Sequence, residues 1–173
     1  VLRRRAMTTC NVLLIEDSHF QRESLRTALE SDYGHCVCSF RDLVTFEEAI
    51  LSGSLKESFS TQRRLVVILD CMLAKKLSPD APEAPRWEGP GEPPPGEEGK
   101  YVDNDLGLRI AQSIRDGEYE GVPDDAPILF FTARRNQRLA DDVEKLAPTR
   151  LLVKPLFSGR VERAIQDLLQ TER

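Results

Sequence analysis

The chain has 173 residues, 40% of them hydrophobic and 31% charged, with a formal net charge of -5. That length supports one domain with a real core, and the acidic balance argues against a nucleic-acid-binding surface. No apolar stretch approaches the ~18 residues of a membrane span, and no leader pattern precedes a cleavage site, so no membrane contact is expected.

Residues 1–8 read as an N-terminal extension, and the basic cluster Arg3, Arg4 and Arg5 within it is assigned no function. The first strand is Asn11-Val12-Leu13-Leu14-Ile15, which runs into Glu16 and Asp17. Ser18 and Gln21 have capping-box spacing, and Leu25, Ala28 and Leu29 supply the inward stripe of a first helix. His35 to Phe40 is a second strand, with Cys36 and Cys38 on one face. Thr45 with Glu48 caps a short second helix carrying Ala49 and Ile50, and residues 52–64 read as a polar loop. Leu65-Val66-Val67-Ile68-Leu69 is a third strand that ends at Asp70.

A break in composition follows. Residues 74–104 hold seven of the eleven prolines and the only tryptophan, Trp87. No helical or strand period survives there, so the segment reads as an insertion in a loop, with too few apolar residues for a core of its own. Pro93-Pro94-Pro95 favours polyproline II, and Trp87 offers an anchor.

Regular structure resumes with Gly107, Ile110, Ala111 and Ile114 on one face of a third helix. Ile128-Leu129-Phe130-Phe131 is a fourth strand ending at Thr132. A fourth helix is expected over about 136–146, stopped by Pro148, and Leu151-Leu152-Val153 runs into Lys154-Pro155. A last helix carries Val161, Ala164, Ile165, Leu168 and Leu169, and no output domain follows it in this sequence. Five βα repeats predict an α/β fold, a doubly wound (βα)5 parallel sheet with helices on both faces, as one domain over 9–173. The ligand site of such a sheet lies off the carboxyl ends of its strands. That rule gathers Glu16, Asp17, Asp70, Thr132 and Lys154. The four cysteines have no zinc-ligand spacing and read as reduced thiols of a cytoplasmic protein.

The blocks VLLIEDS, LDCML, GLRIAQSIR, ILFFTAR and LLVKPL, in this order after successive strands, resemble those of a response-regulator receiver domain of two-component signalling. The resemblance covers about 11–169. It implies a flavodoxin-like fold with strand order 2-1-3-4-5. It implies that Asp70 accepts a phosphoryl group from a histidine kinase or a histidine phosphotransfer protein, and that a downstream protein target reads the result. Three crowded carboxylates call for a hard cation: at ~4 Å each like-charge pair costs on the order of 4 kcal/mol at an effective dielectric of 20. Mg2+ suits carboxylates, water and phosphate oxygens, with Mn2+ as a substitute. The resemblance implies that Asp17, Asp70 and the Met72 backbone carbonyl bind it, with Glu16 acting partly through water. It also implies that Lys154 and Thr132 contact the phosphoryl oxygens.

Met72 and Arg134 occupy the positions that tune phosphoryl lifetime in that family, and an apolar Met72 implies slow autodephosphorylation. Two positions depart from the pattern. Leu151 replaces the aromatic residue expected three before the lysine, and Ala74 replaces the usual proline. The face of the fourth helix, fifth strand and last helix would be a homodimer or partner surface, with Arg134, Arg135, Arg138, Asp141 and Asp142 on its helix. The alternative is a pseudo-receiver acting as a constitutive interaction module. An aspartate phosphohydrolase would want a second carboxylate at Met72.

Overall fold

The computed structural model describes residues 8–78, 80–90, 93–133, 137–155 and 157–171. Arg3, Arg4, Arg5, Pro79, Gly91, Arg134, Arg135 and Asn136 lie outside them. The five expected strands form one parallel sheet: β1 (Asn11–Ile15), β2 (Cys36–Phe40), β3 (Leu65–Asp70), β6 (Ile128–Thr132) and β7 (Thr149–Val153). Their spatial order is β2-β1-β3-β6-β7, which is 2-1-3-4-5 when the five are counted along the chain. The helices are α1 (His19–Ser31), α2 (Leu43–Leu51), α3 (Ser54–Ser58), α4 (Leu106–Arg115), α5 (Gln137–Glu144) and α6 (Ser158–Thr171).

The apolar runs are continuous because both faces of the sheet are covered. Leu13, Ile15, Val67, Leu69, Ile128 and Phe130 pack on one face with Phe46 of α2, Ile110 and Ile114 of α4 and Leu139 and Val143 of α5. Their strand neighbours Val12, Leu14, Val66, Ile68, Leu129 and Phe131 pack on the other with Leu29 of α1 and Val161, Ile165 and Leu168 of α6. The period of two along each strand thus splits one run into two cores. Among the described residues no helix is long and apolar enough to cross a membrane.

Three local readings are corrected. Asp42, not Thr45, caps α2: its Oδ1 accepts from Thr45 N at 2.8 Å. Asp42 precedes the first apolar residue of the helix, the position where a cap satisfies the free N–H groups. The stretch 52–64 is not all loop, because Ser54–Ser58 makes the short helix α3 and buries Leu55. The segment 74–104 is not without pairing either. β4 (Leu73–Ala74) runs antiparallel to β5 (Val102–Asp103), with Leu73 opposite Asp103 and Ala74 opposite Val102. Two-residue strands are too short to show a period in sequence.

Away from the strand ends, a buried chain of polar groups ties β1 to α6. Cys10 N donates to His35 Nδ1 at 3.1 Å, so the ring proton sits on Nε2 and donates to Glu162 Oε2 at 2.6 Å. Glu162 Oε1 accepts from Gln166 Nε2 at 2.7 Å. Cys10 Sγ lies 3.4 Å from the same ring, but this is no nucleophile relay: the thiol is fully buried and burial pushes it up to about 12. Glu162→Ala leaves a buried imidazole N–H without an acceptor. It should cost about 1–3 kcal/mol. Urea unfolding checks this as a lower midpoint at unchanged slope.

Candidate functional site

The sheet register assembles the site. Ile15 lies beside Leu69, so Glu16 follows next to Asp70, and Asp70 itself lies beside Phe131. Thr132 lies beside Val153, which places Lys154 just beyond it, with Lys154 N donating to Thr132 O at 2.8 Å. β7 is two strands from β3, about 10 Å at the usual spacing. Only a long side chain crosses that gap. Lys154 does so: its Nζ donates to Asp70 Oδ2 at 2.7 Å and to Glu16 Oε2 at 2.9 Å.

Glu16, Asp17 and Asp70 are all buried, and one oxygen of each lies within 4.8 Å of the others. The remaining contacts orient them. Ser18 N donates to Glu16 Oε1 at 3.1 Å, and Met72 N donates to Asp70 Oδ1 at 3.0 Å. Ala84 N, from the connection between β3 and α4, donates to Asp17 Oδ2 at 3.3 Å. The groups open into a cavity of about 510 Å³ that Met72 and Ala133 also line.

Thr132 stands apart. It is fully buried, is hydrogen-bonded to the Cys71 thiol, and lines a neighbouring cavity of about 210 Å³ with Met72, Asn104 and Asp105. The acidic cavity is lined by its neighbour Ala133 instead. The structure therefore brings four of the expected side chains together and sets the fifth one cavity away, with Met72 bordering both.

Two residues that support the site are not marked as such in the sequence: Arg22, and Gly107, which reads there only as part of a helix face. Arg22 of α1 is buried and its Nη1 donates to Glu16 O at 2.8 Å, which holds the backbone of the acidic pair. The signal was present: Arg22, Leu25 and Leu29 fall at helical spacing on one face, and an arginine on an apolar stripe needs a buried acceptor. Gly107 of α4 lets the helix sit on the end of β3. A Cβ there would lie 2.1 Å from Asp70 O and 2.9 Å from Cys71 Cα.

Electrostatics follow from the crowding. Burial, then the Asp70 charge, pushes Glu16 up to about 7 and Asp17 up to about 6. Burial pulls the Lys154 ammonium down, but Glu16 and Asp70 more than offset it, and the net shift is upward. With Lys154 charged, three ionised carboxylates leave the pocket two charges negative, a setting in which hard oxygen ligands would hold a divalent cation.

No family model matches this chain, and no curated protein does. Solved structures do. A response regulator receiver protein from Sinorhizobium medicae WSM419 matches with a TM-score of 0.57 at 16% identity, over 97% of this chain and 100% of that one. Chemotaxis protein CheY4 of Vibrio cholerae matches at 0.54 and 18% identity, over 93% and 99%. The CheX-CheY-BeF3-Mg2+ complex of Borrelia burgdorferi matches at 0.56 and 18% identity, over 94% and 90%. The fold is that of response-regulator receiver domains.

Two outcomes are expected. Gly107→Ala drives a methyl into the β3 backbone and should destabilise the fold by about 1–3 kcal/mol, measured by thermal or urea unfolding. The raised carboxyls set a pH dependence. Their ordinary values are 4.5 and 3.8, so above about pH 4 the unfolded chain releases protons that the fold retains. The stability these two groups contribute is complete below that pH and is lost as pH rises through about 6 and about 7. Asp17→Asn removes one titrating group and one repulsive charge. The stability of wild type relative to this variant should therefore fall between about pH 4 and about pH 7 in metal-free buffer. A difference that does not change with pH would contradict the assignment.

Proposed function

We propose that this chain is a phosphoacceptor receiver domain, in which Asp70 takes a phosphoryl group and the modified domain changes its affinity for a protein partner. One observation carries the reading: Lys154, Asp70 and Glu16 are in direct contact, with Asp17 beside them, at the carboxyl ends of strands far apart in sequence. The similar Borrelia burgdorferi structure holds BeF3 and Mg2+. The donor set among the described residues, three clustered carboxylates with no histidine or cysteine in the group, fits the same hard cation. Asp17 and Asp70 would hold Mg2+ with the Met72 carbonyl. Glu16, held by Lys154 and Ser18, would act partly through water. When bound, the cation neutralises carboxylate repulsion and the charge of the incoming phosphoryl oxygens.

The chain's own residues do the rest. An Asp70 carboxylate oxygen attacks phosphorus while the bond from phosphorus to the leaving oxygen breaks, and its electron pair departs with the leaving group. Met72 N holds the other Asp70 oxygen and fixes the angle of approach. Lys154 uses two of its three N–H donors on Glu16 and Asp70, so a third remains for a phosphoryl oxygen. Thr132 reaches that oxygen only if its hydroxyl turns away from Cys71. Such a phosphate-dependent contact would bias a two-state loop. The donor would be a histidine kinase or histidine phosphotransfer protein in the cytoplasm. The output would be protein binding rather than turnover, with the face of α5, β7 and α6 as a candidate partner or homodimer surface.

Incubation with Mg2+ and acetyl phosphate, followed by intact-mass spectrometry, should show one added phosphoryl group on wild type and none on Asp70→Asn. Lys154→Ala should retain Mg2+ binding and slow phosphorylation on the order of 10²-fold. A wild-type protein that binds Mg2+ but never gains the adduct would favour the pseudo-receiver alternative.

A further inference from the structure

The connection from β3 to α4 is anchored at both sides of the acidic cavity. Beyond the β4–β5 pairing, Lys76 N donates to Gly99 O at 2.9 Å. Leu77 is gripped through its backbone, its N donating to buried Asp42 Oδ2 at 2.8 Å and its O accepting from Arg41 Nη2 at 2.7 Å. Ala74, Leu77 and Ala84 bury a small cluster of their own. Pro82 O accepts from His19 N at 2.8 Å, at the start of α1, and Pro85 O accepts from Val102 N at 2.9 Å. Ala84 lies between these two anchored prolines and is 7% exposed. Its N–H is the donor to Asp17 Oδ2. Three residues further on, Trp87 meets Tyr101 edge to face, with centroids 5.2 Å apart and planes at 69°.

We propose that the Ala84 backbone N–H is a positioning donor that fixes the Asp17 carboxylate, and that the β3–α4 connection thereby sets the affinity of the pocket for a divalent cation. The inference rests on the phosphoacceptor reading, since it takes Asp17 as a cation ligand. A carboxylate held by one oxygen presents the other without first losing rotamer freedom. Loss of a donor to a ligating group typically costs 10–100-fold in metal affinity. Two further facts point the same way. Glu83, Arg86 and Glu88 line the same cavity, so the connection adds two acids and one base to it and favours a cation over an anion. The anchors at Leu77, Pro82 and Pro85 restrain the backbone on both sides of Ala84, as a positioning donor requires. Linkage then makes the effect reciprocal: a connection that favours the cation is itself stabilised when the cation binds.

The test uses the whole chain, MgCl2 alone and two readouts. Calorimetry measures cation affinity, and emission from Trp87, the only tryptophan, measures the state of the connection. Ala84→Pro removes the N–H, whereas Ala84→Gly keeps it and loses only a methyl group. Wild type and Ala84→Gly should bind Mg2+ with affinities within about 3-fold of each other, and Mg2+ should change Trp87 emission in both. Ala84→Pro should bind about 10-fold or more weakly. Equal affinity in a folded Ala84→Pro, or wild-type binding with no change at Trp87, overturns the inference and leaves the phosphoacceptor reading standing. No binding to wild type overturns both. If Ala84→Pro does not fold, amide hydrogen exchange on wild type decides. The Ala84 amide should be protected, and more so with Mg2+; exchange at the rate of a free amide overturns the proposal.

Discussion

Burying Glu16, Asp17 and Asp70 within reach of one another, with Lys154 in contact with Glu16 and Asp70, is the constraint on which the rest of the structure turns. Like charges that close repel strongly in a medium less polar than water. The fold meets this in three ways. It raises the carboxyls, Glu16 to about 7 and Asp17 to about 6, so that they hold their protons to higher pH. It supplies backbone donors from Ser18, Met72 and Ala84. It brings an ammonium across two strands from β7. None of these removes the negative excess, and an excess that the chain does not neutralise itself invites a cation.

The sheet is what makes such crowding possible. Both faces are covered by helices, so the strands are buried, and their parallel register delivers each chemical group at the same height. Gly107 then allows α4 to rest on the Asp70–Cys71 backbone, and Arg22 braces the acidic pair from behind. The ends of the strands are therefore held from below by core packing and from the sides by α1 and α4. The β3–α4 connection forms part of the remaining wall. Its contacts to Asp42, His19 and Asp17 make it structurally continuous with the site it flanks.

How far the sequence was legible differed from element to element for physical reasons. β1, β3 and β6 were plain because four or more consecutive apolar residues, bounded by polar ones, suit a short strand covered on both faces. α4 and α6 were plain from their period. The cap of α2 was displaced because Asp42 and Thr45 are both good capping residues, and only the position of the first turn decides between them. α3 was missed because a five-residue helix carries a single buried leucine, Leu55, and so no period. Arg22 was overlooked although it lies on the apolar stripe of α1.

Local pattern alone says which residues end the strands, and hence that three carboxylates, a threonine and a lysine lie at one edge of the sheet. Alternation and helical period are local properties, and the parallel fold converts them into position with little further information. Which of those groups touch is set by packing in three dimensions. Lys154 reaches Glu16 across 138 residues of sequence, Thr132 turns toward Cys71 in the adjoining cavity, and Ala84 reaches Asp17 across 67. These outcomes depend on side-chain rotamers and on the path of a proline-rich connection. The donor from Ala84 is a backbone N–H, which every residue but proline carries, so no residue type in the sequence could have marked it.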